Sequence, residues 1–356
     1  MNKRYIILIF ILGLIILSIS SCSKPTPDNE DSIFPNDRED IVMNVIDSEN
    51  NIKKIQAHTQ KKAFRLEDII DEKFERALAM GGLGEVEYIE DGYFKAIGSQ
   101  IDYTNENGKM IIRDVKGIMI NPPKGSITDA YYHMSNYLEE GDVLFILLDG
   151  FGYHQYKYAI ENGYLPFLEK QTEATKALSV YKPVTNAGLA AIITGLYPIE
   201  NGIYSRKQRE LKVDSIFKRA KDLGKKSIYI EGDIGILKTE IEPVLNLDNT
   251  GDGFTDDEVY KSTMEAIEKD YNFVFTHFHG IDDSGHTYGD LSLETMEFIN
   301  KVDTYVEGIV SKWNGKVIIT ADHGMHSTGD GGDHGEFRYE DMVVPYIIID
   351  GGNQFE

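Results

Sequence analysis

The sequence predicts an α/β protein with a doubly wound, mostly parallel central sheet flanked by helices, preceded by a small α+β segment. Three observations lead there. Short apolar or β-branched runs recur: Val143-Leu-Phe-Ile-Leu-Leu148, Phe273-Val-Phe-Thr276 and Val317-Ile-Ile-Thr320. Their length and composition suit strands buried on both faces. Helical stretches separate them, as in Leu291 to Trp313, where Met296, Ile299, Val302, Val306, Ile309 and Trp313 fall on one face. Such alternation is the pattern of a parallel sheet covered by helices. Finally, the runs stop at residues able to do chemistry: Asp149 after the first, His277 after the second, Asp322-His323 after the third. Open sheets of this class bind ligands beyond the carboxyl ends of their strands, so a site is expected there.

At the amino end, Lys3-Arg4 precedes an almost unbroken apolar run from Tyr5 to Leu17, and Ile19-Ser20-Ser21 leads to Cys22, the single cysteine. The order basic, apolar, small is that of a secretory signal. With the cysteine directly after the small residues it resembles the lipobox of bacterial lipoproteins, which implies cleavage before Cys22 and a diacylglycerol on its sulfur. The alternative is an uncleaved anchor, for which the apolar run is short. Either way the remainder is expected outside the cytoplasm, membrane-anchored, with residues 1–21 as signal.

Residues 22–40 carry Pro25, Pro27, Pro35 and many acids with little to bury, and read as a flexible tether. Residues 41–126 read as an accessory α+β segment. Its Phe64 to Met80 stretch predicts a helix ending at Gly81-Gly82. Val86 to Ile97 and Met110 to Ile120 predict strands, joined near the turn-forming Asn105-Glu106-Asn107-Gly108. The catalytic domain is expected over 127–356, with further strands at Leu178 to Tyr181, Ser227 to Ile230 and Val343 to Ile349, and a helix over Ala187 to Thr194. The charge balance of 36 Lys plus Arg against 59 Asp plus Glu disfavours nucleic acid and anionic surfaces as general partners.

Gathering the strand-end residues gives Asp149, Thr185, Asp282, His286, Asp322, His323 and His334. Three aspartates, three histidines and one hydroxyl form an oxygen-and-nitrogen donor set suited to Zn²⁺, with Mn²⁺ as the alternative ion. One zinc takes three or four ligands, so seven invite two ions, the arrangement that clamps attacking and leaving oxygens in an in-line displacement. Thr185 is the candidate nucleophile, between an apparent strand and an apparent helix whose amino end favours a phosphoryl oxyanion.

Five runs carry a wider resemblance: ILLDG at Asp149, PVTNAGLAAIITGLYPIENGI around Thr185, GIDDSGHTYG with Asp282 and His286, ITADHGM with Asp322 and His323, and GDHGE with His334. In residues, order and internal spacing they resemble the alkaline phosphatase superfamily, more closely its nucleotide pyrophosphatase/phosphodiesterase and phosphonoacetate hydrolase branches. The resemblance spans about Val143 to Ile349. It implies one ion on Asp282, His286 and His334 and a second on Asp149, Thr185, Asp322 and His323. It also implies that Thr185 attacks phosphorus to give a covalent intermediate, which water then hydrolyses. Asp282 rather than Asp283 stands four residues before His286, the family's spacing.

The chain departs from that pattern twice. Asn186 replaces the aromatic residue that pyrophosphatases set after the nucleophile, as in phosphonoacetate hydrolases, and its backbone N–H remains an oxyanion donor. Arg206, with Lys207 and Arg209 behind it, stands near where the diesterases place an asparagine. Arg206 either binds substrate phosphate or carboxylate bidentately or belongs to a solvated loop paired with acids. His277 and His279 fall outside the matched positions and are expected to pack or to support the ligands. Either Glu231 or Asp233 could line the pocket.

The function expected is two-metal hydrolysis of a small phosphorylated substrate, with diester or pyrophosphate ahead of monoester. Phosphonoacetate-type C–P hydrolysis and phosphotransfer are the alternatives, and a metal- or ligand-binding surface lipoprotein is the non-enzymatic contrast.

Overall fold

The computed structural model describes residues 42–56, 63–97 and 100–352. The leader, Cys22 and the tether lie outside the described residues. Among the described residues no helix is long and apolar enough to cross a membrane.

The apolar runs form one eight-stranded sheet. Its order is Val244–Leu245, Ser227–Glu231, Phe273–Phe278, Val143–Leu148, Lys316–Thr320, Val343–Asp350, Thr175–Leu178 and Gly125–Ser126. Val143–Leu148 lies at the centre, parallel to Phe273–Phe278 on one side and to Lys316–Thr320 on the other. Only Val343–Asp350 runs against its neighbours. Every residue of Val143–Leu148 and Phe273–Phe278 is buried, as unbroken apolar sequence requires of a strand covered on both faces.

Helices Asp129–Glu140, Thr185–Thr194, Asp256–Ile267 and Leu293–Val310 belong to those covering layers. Thr185–Thr194 is apolar nearly all round and wholly buried. Leu293–Val310 buries Met296, Ile299, Val302, Val306 and Ile309 along one stripe, and the Ser292 hydroxyl accepts the Thr295 N–H at its start.

Several expected elements differ. Val86–Ile97 is two strands, Val86–Tyr88 and Gly92–Ile97, and Met110–Ile120 is likewise Met110–Ile112 and Val115–Ile120. The Leu178–Tyr181 strand is Thr175–Leu178, because Thr175 to Leu178 are the residues facing Val343 to Tyr346 across the antiparallel ladder. The Phe64–Met80 helix does not form. Leu66–Asp68 makes a single 3₁₀ turn and Ala77–Gly81 is a strand buried at every residue. Ala, Leu and Met have high helix propensity, but pairing with Val115–Ile120 and Val86–Tyr88 overrides it.

The N-terminal segment is accordingly built from strands. A five-stranded sheet (Ile52–Gln56, Val42–Ile46, Val115–Ile120, Ala77–Gly81, Val86–Tyr88) lies beside a three-stranded one of Gly92–Ile97, Gln100–Asn105 and Met110–Ile112. The turn expected at Asn105–Gly108 links the last two. Strand alternation gives the larger sheet two working faces. Ile46, Leu78, Met80 and Met119 join the core of the central sheet, whereas Val45, Ala77, Ala79 and Ile118 join a second core with Phe94 and Ile101.

Candidate metal centre and nucleophile

The seven expected metal and nucleophile residues sit at the carboxyl ends of central strands or on the helices and loops that follow them. Asp149 directly follows Val143–Leu148, and Asp322 and His323 follow Lys316–Thr320. Asp282 and His286 lie one turn apart on helix Gly280–Tyr288. Thr185 opens its helix after extended Val184. His334 follows the short strand Gly331–Asp333.

Thr185 Oγ1 lies 3.4 Å from Asp149 Oδ1 and 3.3 Å from His323 Nε2. His323 Nε2 is 3.4 Å from both Asp149 Oδ1 and Asp322 Oδ2. On the other side, Asp282 Oδ2 is 3.3 Å from His286 Nε2, and Asp282 Oδ1 is 3.7 Å from His334 Nε2. The His323 and His334 rings stack with centroids 3.9 Å apart, which makes the two halves one centre.

The three histidines share one tautomeric device. His286 Nδ1 meets the Gly332 carbonyl at 2.9 Å, His323 Nδ1 that of Gly324 at 3.0 Å, and His334 Nδ1 that of Pro183 at 2.8 Å. A carbonyl can only accept, so each Nδ1 carries the proton and each Nε2 presents its lone pair to the site. Asp282 Oδ1 and Asp322 Oδ2 are buried without a hydrogen-bond partner among the described residues.

The electrostatics differ from one group to the next. Burial pushes Asp322 up to about 7, helped by the charge of Asp149. Burial opposes ionisation of Asp149 too, but hydrogen bonds from His277 and His279 outweigh it and hold that carboxylate well below its usual range. Burial, with His323 beside it, drives His334 down to about 3, leaving it a neutral donor. The hydrogen bond with Asp282 pushes His286 up to about 9, and although burial opposes it the charges of Asp322 and Asp149 raise His323, so the crowded carboxylates draw positive charge into the centre. Carboxylates with orphan oxygens that attract positive charge in this way fit divalent cations. The groups Asp282–His323–His334 and Asp149–Asp322–His323 each bring their donor atoms within 4.8 Å of one another.

The remaining expectations divide. Arg206 Nη2 contacts His334 Nε2, which brings its guanidinium to the centre. The Asn186 side-chain amide donates to the carbonyls of Gln208 at 3.0 Å and Ile236 at 3.2 Å, tying two rim loops together. Its backbone N–H belongs to the first helical turn, which has no intrahelical acceptor. Asp233 is exposed, whereas Glu231 is fully buried against His277 rather than lining a pocket. His277 and His279 both contact Asp149 Oδ2, at 3.1 and 3.0 Å. His133 pairs with Tyr346, His154 with Asp290 and His326 with Asp341.

Two sequence families match this chain. The Metalloenzyme superfamily covers residues 243–354, and Type I phosphodiesterase / nucleotide pyrophosphatase covers residues 143–232. Among curated proteins, GPI ethanolamine phosphate transferase 1 of Homo sapiens is 32% identical over 116 residues, 30% of this chain and 12% of that protein. The catalytic subunit of human GPI ethanolamine phosphate transferase 3 is 25% identical over 209 residues, 51% of this chain and 19% of that protein. The chain thus spans less than a fifth of the length of either relative.

Among solved structures, phosphonoacetate hydrolase from Sinorhizobium meliloti 1021 aligns with a TM-score of 0.42 at 19% identity, over 52% of this chain and 57% of that one. Murine ectonucleotide pyrophosphatase / phosphodiesterase 5 aligns with a TM-score of 0.43 at 20% identity, over 53% and 58%.

Proposed function

We propose that this chain, which belongs to the alkaline phosphatase-like metalloenzyme superfamily, cleaves phosphate esters with Thr185 as nucleophile and two divalent ions as cofactors. Asp282, His286 and His334 would hold one ion, and Asp149, Asp322 and His323 the other, together with the Thr185 oxygen. When bound, such ions lower the pKa of a hydroxyl and neutralise phosphoryl oxygens. Zn²⁺ suits the donor set best, with Mn²⁺ second.

The chain's own residues account for the rest. Thr185 Oγ1 attacks phosphorus, the bond from phosphorus to the leaving oxygen breaks, and the phosphoryl group is carried as an ester on Thr185. Water or an alcohol then takes it and the hydroxyl is restored. First-turn N–H groups at Thr185 and Asn186 face the developing negative oxygen. Arg206 binds a second phosphoryl or carboxylate oxygen. The observation that carries this reading is the Thr185 hydroxyl within 3.4 Å of both Asp149 and His323.

Hydrolysis of a diester or pyrophosphate is the first reading. Transfer to an alcohol is the second, supported by the similarity to proteins named ethanolamine phosphate transferases. The deciding experiment gives metal-loaded protein a monoester, a diester, a pyrophosphate and phosphonoacetate, with and without an added alcohol. Turnover with phosphate trapped on Thr185 is expected, and the alcohol's effect on product separates hydrolysis from transfer. No turnover of any phosphoryl compound at full metal occupancy would leave the metal-binding surface protein as the better account.

We further propose that the protein is held at the outer face of a membrane through a lipid on Cys22. The basic, apolar, small order before that residue supports this. Cys22→Ala should abolish lipid labelling and leave the protein unprocessed or released. Labelling that persists refutes the anchor.

A further inference from the structure

Asp149 uses one carboxylate oxygen toward Thr185 and His323, and its other oxygen faces away from the nucleophile. Behind that second oxygen lies a buried chain of side chains. Asp149 Oδ2 meets His277 Nε2 at 3.1 Å, and His277 Nδ1 meets Glu231 Oε1 at 3.2 Å. Glu231 is fixed in turn: the Tyr229 hydroxyl donates to Oε1, and the Ile236 backbone N–H donates to Oε2 at 3.1 Å. His277 and Glu231 are wholly buried and Tyr229 is 1% exposed. Tyr229 and Glu231 sit two apart on one strand, with His277 on the neighbouring parallel strand Phe273–Phe278, so rigid backbone sets their spacing.

From this geometry we infer that Tyr229, Glu231 and His277 form a positioning relay that orients Asp149 for ion binding beside Thr185. The inference rests on the two-ion reading above. A carboxylate free to rotate presents either oxygen and either lone pair, and ordering it costs free energy at each binding event. With Oδ2 engaged from behind, Oδ1 is aimed before any ion arrives. Supporting residues of this kind commonly account for about 10–100-fold in metal affinity. His279 Nδ1 adds a second contact to Oδ2 at 3.0 Å, from the strand's end. Among the described residues the other half of the centre shows no such chain: Asp282 meets His286 and His334 of the donor set.

The test isolates the Asp149 site by working in a His286→Ala background, which removes a donor from the other site. Zinc content and affinity, measured by chelator competition, are compared with and without Glu231→Gln. Glu231→Gln preserves shape and removes the charged acceptor. The expected result is a 10–100-fold loss of affinity with a largely unchanged Tm. Tyr229→Phe, which deletes a single hydroxyl, should shift affinity the same way by a few-fold, and serves if the Glu231 variant does not fold.

Unchanged affinity in both variants overturns the relay while two bound ions in the wild type keep the two-ion reading intact. A wild-type protein that binds no divalent ion removes both. A third ion per chain, lost on His279→Ala, also overturns the relay, because Asp149, His277 and His279 would then be ligands themselves.

Discussion

The Thr185 hydroxyl lies 3.3 Å from Nε2 of His323, although 138 residues of chain separate them. One residue begins a buried helix and the other ends a buried strand, so the contact is set by how these two elements pack. Thr185→Ala deletes only the hydroxyl and a methyl group. On the proposed covalent route we expect turnover to fall by at least about 10³-fold with Tm nearly unchanged and the ion on Asp282, His286 and His334 retained. Steady-state kinetics alongside metal analysis checks this, and residual turnover within tenfold of wild type would exclude the covalent route.

The same packing depends on Gly188, one turn into the helix. A Cβ there would stand 2.5 Å from the Asp322 carbonyl oxygen, a backbone atom that cannot swing away. Gly188→Ala should therefore push the helix off the strand end, at a cost of about 1–3 kcal/mol. Activity should fall further than stability, because the displacement falls on the Thr185–His323 distance. Urea unfolding and kcat measured on one preparation separate the two effects.

Arg206 reaches His334 from the loop beyond Ile203. If its guanidinium grips a substrate oxygen, Arg206→Ala should lower kcat/KM by about 10–100-fold, equivalent to roughly 1.4–2.7 kcal/mol of transition-state binding. Arg206→Lys should restore only part of that, since an ammonium cannot offer a planar fork. Metal content should stay constant. Equal kinetics for all three proteins would return Arg206 to the solvated loop.

Asp290, which is not among the donor residues, offers a pH test. Burial acts to raise its pKa, but hydrogen bonds from His154 and Ser327 prevail and hold it below the usual range. A depressed carboxylate contributes stability that is complete above its unfolded value of about 3.9 and fades as pH falls through the lower folded value. Wild type should thus exceed Asp290→Asn in stability at pH 7, and the gap should narrow below about pH 4. Urea unfolding across that range gives the answer, and a gap independent of pH would contradict it.

The central strands were readable from sequence because they rest on a local signal. Val143 to Leu148 can satisfy its composition only where both faces are covered, and Asp149 interrupts it at the edge where ligands bind. The relay behind Asp149 carries no such signal. Glu231 and His277 are 46 positions apart and meet only because their strands are neighbours in the sheet. Ala77–Gly81 misled for the opposite reason: its residues favour a helix, and pairing on both sides decided otherwise. Asn186 fell between these cases, since its place after Thr185 was visible but not the carbonyls that hold its amide.

The N-terminal sheet reaches further than its distance along the chain suggests. Asn44 donates to the Phe337 carbonyl at 3.0 Å, and Gly117 leaves room for the Phe337 ring, which a Cβ would approach to 2.0 Å. Phe337 sits three residues past His334. The N-terminal segment thus braces the loop that carries His334, and because it also shares the core of the central sheet, removing it should lower both Tm and zinc content relative to the full chain.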